Sequence, residues 1–349
     1  MDLDEHSEYF SGLFWHTSSV DGHLNFAFPF KIDKSINTLI FDVDLLPINF
    51  REQTLQYVDS FTGTFPDGTQ PIRANVKVSI RKNTITVDVK TPVFHLRRAC
   101  LTPYKSDVAV SAPDFPINTW EEFKVAIATI AAKEYIYRGQ PHPYKLTTSF
   151  HRTNRNDLHH YIMHDIPNAH GEISAQTKHF FDLRNSIENA AFWSLLQHHG
   201  YPTPLLDWTR SPYIAAFFAF RTKRKQFKFG DTVRIFAFDH VNWERLFKQL
   251  KFSWAAGYHF STLRPVAIEN NRAIAQQAIS TVTNINDIEH HIRKIEKLNG
   301  LKFLWTFDIL YSERTKILSD LNHMGITAGS LLPGLDGACE DLKNRNFGF

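Results

Sequence analysis

The sequence is poor in the residues that build disulfide scaffolds and reactive-cysteine sites. It has 2 cysteines in 349 residues, and Cys100 and Cys339 show no metal or disulfide spacing. This excludes a disulfide framework and fits a reducing compartment. A Gly-x-Ser-x-Gly motif is also missing, so the sequence offers no support for a serine nucleophile.

Long apolar runs and a strong net charge are missing as well. The longest useful apolar stretch, Tyr213 to Phe220, is far shorter than the ~20 residues of a membrane-spanning helix. The first six residues are acidic and lack a secretory pattern, so we expect a cytoplasmic protein without a membrane partner. The net charge of +3 is too small to imply nucleic acid by itself. The densest basic cluster, 221–225 with Lys228, is either a solvated helix end or a contact for a phosphate-bearing partner.

The chain does contain enough apolar residues for two folded domains. Hydrophobic residues make up 43% and aromatic residues 14% of the sequence, and 349 residues exceed the usual size of a single core. Residues 1–115 alternate apolar and polar positions at 24–30, 76–80 and 85–89, the period of half-buried strands. We therefore predict a β-rich antiparallel domain, a recognition or structural module built as one sheet or a small sandwich.

Residues 116–349 alternate helix and strand signals after a Pro-containing boundary at 111–116. Asn118 or Thr119 is expected to cap a helix over 120–132, and Ser186 to cap another that ends before Gly200. Ser211 followed by Pro212 predicts a buried helix. Strands are predicted at 134–137, 233–239 and 303–309, while 273–282 fits either strand or helix. The whole chain is thus predicted to be α+β.

Two positions in this second part carry polar groups in apolar surroundings. Arg138 ends a strand and precedes Gly139, a setting that suits either a phosphate held by the guanidinium or a surface salt bridge. Asp207 lies among Leu205, Leu206 and Trp208, where a carboxylate must be paired or hydrogen-bonded. It could cap the next helix or orient a reacting group. Thr209 and Ser211 could present hydroxyls and backbone N–H groups to an anion.

Histidines occur in adjacent pairs, including His198-His199. Neighbouring side chains on a helix point in different directions, so such a pair seldom supplies two ligands to one metal. His198, His199 and Asp207 could still meet in space, which keeps a metal-dependent hydrolase open as the third hypothesis. No His-x-x-x-His spacing supports this pair, so no metal is expected.

The motifs at these positions resemble those of the FRG domain family. The matching pieces are the Tyr-Arg-Gly-Gln of 137–140, the Thr-Ser-Phe of 148–150 with Arg152, and the long run 197–212. Ala215, Phe218 and Ala219 continue the pattern, and Arg272 to Gln276-Gln277 is similar to a later Arg-x-x-x-Gln element. The resemblance covers roughly 118–340. It implies a site whose cofactor-binding candidates are Tyr137, Arg138, Gly139, Gln140, His198, Trp208 and Ser211.

A more distant resemblance connects this layout to mono-ADP-ribosyltransferases. It implies a split sheet and NAD as the substrate, with Arg138 holding the pyrophosphate or ribose. Asp207 and Thr209 stand where those enzymes carry Ser-Thr-Ser, and Gln276 or Gln277 stands near their late glutamate. Because Asp-Trp-Thr and Gln-Gln differ from the enzyme pattern, transfer to an acceptor, NAD hydrolysis and nucleotide binding without turnover all stay open.

The leading hypothesis from the sequence is therefore an ADP-ribosyltransferase-like enzyme, with Arg138, Asp207, Thr209, Gln276 and Gln277 as catalytic candidates. The resemblance also implies a role as a toxin or defence effector, and a macromolecular acceptor or regulatory partner engaged by the N-terminal domain. The alternative is a module that binds a small nucleotide or senses it without catalysis.

Overall fold

The computed structural model describes residues 2–5, 8–16, 25–51, 54–57, 72–81, 84–92, 94–102, 111–130, 134–249 and 258–348. The chain divides into two compact units. The first comprises Met1–Lys105, Phe150–Gln176 and Phe252–His259, and the second comprises Ser106–Ser149, Thr177–Lys251 and Phe260–Phe349. Residues 150–176 and 252–259 are thus grouped with the first unit. The sequence predicts a single division at residue 116.

The described residues of the first unit form nine strands in two antiparallel sheets. In chain order they are β1 (Asp2–Glu5), β2 (Tyr9–His16), β3 (Phe26–Asp33), β4 (Thr38–Asp44), β5 (Leu46–Arg51), β6 (Thr54–Tyr57), β7 (Arg73–Arg81), β8 (Thr84–Lys90) and β9 (His95–Leu101). One sheet has the order β1-β2-β3-β5-β6 and the other β4-β7-β8-β9. Short helical segments follow at α2 (Leu158–His160), a π-helical turn (Tyr161–Asp165) and α3 (Ile166–Ile173).

The alternation of apolar residues explains the core of the first unit. Phe26 and Phe28 on β3 and Val76 and Val78 on β7 are buried and belong to one hydrophobic cluster, which both sheets share. The predicted antiparallel β-rich arrangement is confirmed, with β7 and β8 paired from Arg81 and Thr84 onward. Leu24, at the start of the first alternating stretch, and residues 82–83, between the other two, lie outside the described residues.

The second unit is built on one seven-stranded sheet with the order β10-β16-β13-β11-β12-β15-β14. Its strands are β10 (Phe115–Ile117), β11 (Tyr135–Gln140), β12 (Leu205–Thr209), β13 (Thr232–Asp239), β14 (Phe260–Leu263), β15 (Ala278–Thr283) and β16 (Leu304–Leu310). β10 runs parallel to β16 and the other pairs are antiparallel. Because helices and antiparallel strands both form this chain, the predicted α+β class is confirmed.

Helices cover both faces of this sheet. They are α1 (Trp120–Ala128), α4 (Ser186–His198), α5 (Pro212–Phe220), α6 (His240–Leu246), α7 (Asn271–Ala275), α8 (Ile288–Asn299), α9 (Arg314–His323), α10 (Ala328–Leu331) and α11 (Leu335–Phe347). One apolar cluster joins α1, α5 and α9 to the sheet, and another joins α6 and α8 to its opposite face. Among the described residues, no helix is long and apolar enough to cross a membrane.

The helix ends show which capping predictions were right. Thr119 caps α1 and Ser211 caps α5, each accepting a hydrogen bond from a backbone N–H three residues on. Gly200 follows α4 with a φ of +86°, the left-handed backbone that glycine adopts without strain. Asn185, and not Ser186 as predicted, caps α4, since its side chain accepts from the Ile187 N–H. The ambiguous stretch 273–282 divides between α7 and β15.

Candidate functional site

The seven-stranded sheet is nearly divided between β11 and β12. β11 pairs with β13 from Tyr135 to Gln140, and β12 pairs with β15 over its whole length. Between β11 and β12, a single residue pair, Tyr137 with Thr209, holds the two halves together. Backbone groups beyond this pair need other hydrogen-bond partners, because a buried carbonyl or N–H is costly when left unsatisfied.

Arg138 supplies one such partner across the split. Its Nη1 donates a hydrogen bond to the backbone carbonyl oxygen of Asp207 at 2.7 Å, and the side chain is half-buried. The guanidinium therefore takes the place of a ladder hydrogen bond between β11 and β12. A guanidinium has five N–H donors in a planar fork, and this contact uses one of them. The structure thus places Arg138 directly beside Asp207.

Asp207 also interacts with His198 at the end of α4. Burial lowers the pKa of His198, and the Asp207 carboxylate opposes this shift, while Arg272 and His199 add to it. Arg272 in addition lies 3.7 Å from the Asp336 carboxylate, measured from Nη2 to Oδ2. The His198 imidazole therefore lies within electrostatic range of both the half-buried Asp207 side chain and the Arg272 guanidinium. Arg272 carried a motif signal in the sequence but was not predicted as a site residue.

Thr209 and Ser211 shape the start of α5. The Thr209 hydroxyl oxygen accepts a hydrogen bond from the Ser211 N–H at 3.1 Å, and the Ser211 hydroxyl oxygen accepts one from the Ile214 N–H at 3.3 Å. Both hydroxyls thus serve the helix start, which is the structural alternative weighed for this turn. The Asp207 carboxylate therefore does not cap α5.

Two aromatic side chains predicted to contact a cofactor lie in the core instead. Tyr137 is 1% exposed and packs beneath α5, where burial, followed by Tyr135 and Tyr213, raises the pKa of its hydroxyl to about 12. Trp208 is 2% exposed, and its Nε1 donates to the Thr281 hydroxyl at 2.9 Å. Hydrophobic clusters on opposite faces of the sheet enclose both side chains, and a cofactor contact of either stays a prediction.

The Gly-Gln that follows Arg138 has a packing role. A Cβ at Gly139 would lie 1.9 Å from the carbonyl oxygen of Ala215 and 2.9 Å from the backbone nitrogen of Ala219. Glycine is required there because α5 approaches β11 closely. Gly139 was predicted to contact a cofactor, but its packing role requires no ligand. The buried Gln140 side chain donates from Nε2 to the Tyr144 carbonyl at 2.7 Å and shapes the loop after β11. This amide thus contacts its own loop, and its cofactor contact stays a prediction.

The late glutamines are held in different ways. The Gln276 Nε2 donates to the carbonyl oxygen of Leu331 at 3.1 Å, which directs this amide toward the end of α10. The exposed Gln277 has a φ of +50°, and its carbonyl oxygen accepts from the Arg210 N–H at 3.2 Å. Gln277 thus adjoins the end of β12 through its backbone, whereas Gln276 is engaged by the C-terminal segment.

The remaining motif pieces support one another. The Thr203 hydroxyl donates to Gln197 Oε1, and the Thr203 N–H donates to the Ser149 hydroxyl at 2.9 Å. The Ser149 hydroxyl in turn donates to the Thr203 carbonyl at 3.2 Å. These bonds fix the path from α4 into β12, a role that the sequence could not reveal because the partners are distant in the chain.

The described residues contain no candidate metal site with three ligands. They hold no group of three or more His, Cys, Asp or Glu side chains placed to bind a metal ion, so His198, His199 and Asp207 do not form one. The sequence reading overlooked a His-x-x-x-His spacing at His160 and His164, whose rings lie 4.8 Å apart. This pair has no third partner of the required kind within the described ranges.

Comparison with known proteins identifies one part of the chain. Neither the curated proteins nor the solved structures include a significant match. The family model of the FRG domain, however, matches residues 133–228. This range contains β11, α4, β12 and α5, the elements that meet at the split of the sheet. The match supports the assignment of this part of the chain to the FRG family.

Proposed function

We propose that this chain is an ADP-ribosyltransferase-like enzyme that uses NAD as its substrate. The observation that carries the proposal is the junction of β11 and β12, where Arg138 bridges a nearly divided sheet to the strand that bears Asp207. The Arg138 guanidinium and the Asp207 carboxylate, carried by adjoining strands, suit a substrate that is anionic at its diphosphate and becomes cationic at its ribose. The FRG match places these residues within one family segment.

Negatively and positively charged side chains would have different roles in the proposed reaction. In cleavage, the bond between ribose C1′ and the nicotinamide nitrogen breaks, and the electron pair leaves with neutral nicotinamide. The ribose then carries positive charge, as in glycoside cleavage. Asp207 would stabilise that charge, while Arg138 and Arg272 would hold the diphosphate in place. Water or an acceptor nucleophile then bonds to C1′ and loses a proton, which His198, near Asp207, would accept.

The test is nicotinamide release by the purified full chain. We expect wild-type protein to release nicotinamide from NAD, or to transfer labelled ADP-ribose when a cell extract supplies acceptors. Arg138→Ala should lower the rate by about a hundredfold or more, the cost of losing a preorganised charge at a reacting centre. Asp207→Asn should lower it by a similar factor and leaves the backbone carbonyl that Arg138 contacts unchanged.

A matched control is Arg245→Ala. Arg245 is an exposed arginine on α6 whose Nη1 donates to Asn242 Oδ1, so its loss should leave the rate unchanged. If Asp207→Asn is folded and as active as wild type, the proposed chemistry is wrong. If wild-type protein neither binds nor consumes NAD, the substrate is wrong as well.

Binding without turnover is the second candidate, and one observation favours it. The Gln276 amide stands where the resemblance implies a catalytic glutamate, and it is hydrogen-bonded to the Leu331 carbonyl. An amide that is already engaged supplies at most a dipole to the ribose. Calorimetry with NAD and ADP-ribose separates the two candidates: binding that Arg138→Ala weakens, with no nicotinamide released, would favour a nucleotide-sensing module.

A further inference from the structure

The loop between α5 and β13, residues 221–231, is anchored by its two arginines. Arg221 forms a bidentate pair with Glu340, with Nε and Nη2 at 2.7 and 2.5 Å from the two carboxylate oxygens. The Arg224 guanidinium lies over the Tyr311 ring, 4.3 Å from its centroid, and donates to the Thr232 carbonyl at 2.8 Å. These arginines therefore hold the loop in place, and its lysines supply the exposed charge.

The outer side of this loop combines positive charge with aromatic rings. Lys223, Lys225 and Lys228 are exposed. Phe229 is fully exposed, and Phe227 is 53% exposed, with its ring edge-on to Tyr311 at 5.0 Å. A large ring projecting wholly into water costs free energy that no contact within the chain offsets. An aromatic ring placed between lysines is the arrangement that a partner with planar bases and phosphates would use.

A third exposed aromatic lies on the adjoining turn. Arg224 donates to the Pro141 carbonyl, which joins the loop to the turn that follows β11. In that turn the rings of His142 and Tyr144 lie 5.1 Å apart, and Tyr144 is 61% exposed. We call the set Lys223, Lys225, Phe227, Lys228, Phe229 and Tyr144 the basic aromatic surface.

Two acidic groups of this region are already occupied. Asp231 accepts from the Lys228 N–H at 2.8 Å and lies 3.5 Å from Arg224 Nη1, and Glu340 is held by Arg221. Their carboxylates thus interact with the arginines and with the loop backbone. Lys225 and Lys228 thus supply a positive field on the outer side that an anionic partner would meet first.

We infer that the basic aromatic surface binds single-stranded nucleic acid, with bases stacking on Phe229 and Tyr144 and phosphates pairing with Lys225 and Lys228. A lipid surface fits less well, because membrane-inserting segments present several contiguous apolar residues. Here Gln226 and Lys228 flank Phe227, which packs on Tyr311, and the third exposed ring belongs to a tyrosine. A duplex offers its phosphates but hides its base faces, so rings would gain little from it.

This inference does not depend on NAD chemistry, and binding of oligonucleotides to the full chain tests it. The probes are fluorescein-labelled oligo(U) and oligo(dT) of about 20 nucleotides, longer than the usual single-strand site, with a duplex of equal length and anionic phosphatidylserine vesicles as comparators. Phe229→Ala should weaken single-strand binding about tenfold, as expected for one lost stacking platform. Lys225→Ser with Lys228→Ser should lower the salt slope of log K by about 1.4, or ~0.7 per lost phosphate contact.

Matched controls lie elsewhere on the same unit. Phe180→Ala removes a ring that is 73% exposed, and Lys297→Ser removes an exposed lysine of α8; both should bind oligonucleotides as wild type does. All of these positions are at the surface, so the variants should fold, which circular dichroism would check. Equal binding by wild type and Phe229→Ala would overturn the inference. Binding to vesicles but not to oligonucleotides would overturn it too and identify a lipid surface instead.

Discussion

Arg138 and Gly139 illustrate how adjacent residues of one motif serve different purposes. Arg138 is half-buried and bridges two strands through the Asp207 carbonyl. Gly139 points the other way, toward α5, where its missing side chain lets the helix contact the strand. Alternation along a strand sends neighbouring residues to opposite faces. Two adjacent residues of one motif, Arg138 and Gly139, thus serve as a candidate ligand contact and as a packing requirement.

At this scale we predict that Gly139→Ala destabilises the protein. The new Cβ would meet the Ala215 carbonyl oxygen at 1.9 Å, and backbone atoms of a buried helix cannot yield cheaply. We expect a loss of roughly 2 kcal/mol or more in the free energy of unfolding, as for overpacked cores. Urea unfolding followed by circular dichroism would measure it. Gly171→Ala is the control, since a Cβ there meets nothing within 4 Å; equal effects of the two changes would contradict the packing role.

At the scale of elements, α5 is a buried apolar helix whose start is fixed by its sequence. Pro212 occupies the first helical position and Ser211 caps it, so the helix begins at the end of β12 beside the candidate site. Its apolar residues pack against β11 and β13. The position of the helix N-terminus is therefore set by local residues, while its burial depends on the sheet.

We predict that Ser211→Ala lowers the free energy of unfolding by about 1 kcal/mol, because the Ile214 N–H loses its acceptor. Ser211→Asp restores an acceptor and should be close to wild type. Thermal unfolding of the three proteins would measure this. The Ser211→Asp variant also tests the cofactor role predicted for Ser211. If it keeps its stability but loses NAD binding, the Ser211 hydroxyl contacts the ligand. If stability and NAD binding are both kept, the hydroxyl acts as a helix cap.

At the scale of the whole molecule, buried histidines make the fold sensitive to acid. Burial, followed by Lys294 and His290, lowers the pKa of His291 from 6.5 to about 4. Burial likewise lowers the pKa of His151 to about 3. The unfolded chain takes up these protons near pH 6.5 and the folded chain only at lower pH. The stability that depends on neutral imidazoles is therefore complete above pH 6.5 and is lost as the pH falls toward 4.

We predict that His291→Gln reduces this acid sensitivity. Between pH 7 and pH 5, wild type should lose about 2 kcal/mol of unfolding free energy through His291 alone, and the variant should lack that part of the loss. Urea unfolding at both pH values gives the difference within each protein, so any constant cost of the substitution cancels. An equal loss in both proteins would show that His291 does not cause it.

The sequence by itself determined which segments are strands and helices wherever a local signal exists. Alternating phenylalanines and valines indicated the β-rich part, since one face of each strand must be buried, and Thr119, Ser211, Pro212 and Gly200 marked helix ends through local hydrogen bonding and backbone freedom. The motif run 197–212 indicated where a site should be sought, and the FRG match covers it.

Only the tertiary structure decided what each motif residue contacts. Tyr137 and Trp208 are buried in the core, Gly139 makes room for α5, and Gln276 binds the Leu331 carbonyl, because strand pairing and helix packing bring together residues far apart in the chain. The same packing brings the Arg138 guanidinium to Asp207 across a sheet joined there by one residue pair. Local sequence sets backbone preference and side-chain chemistry, whereas which groups meet depends on the packing of the whole unit.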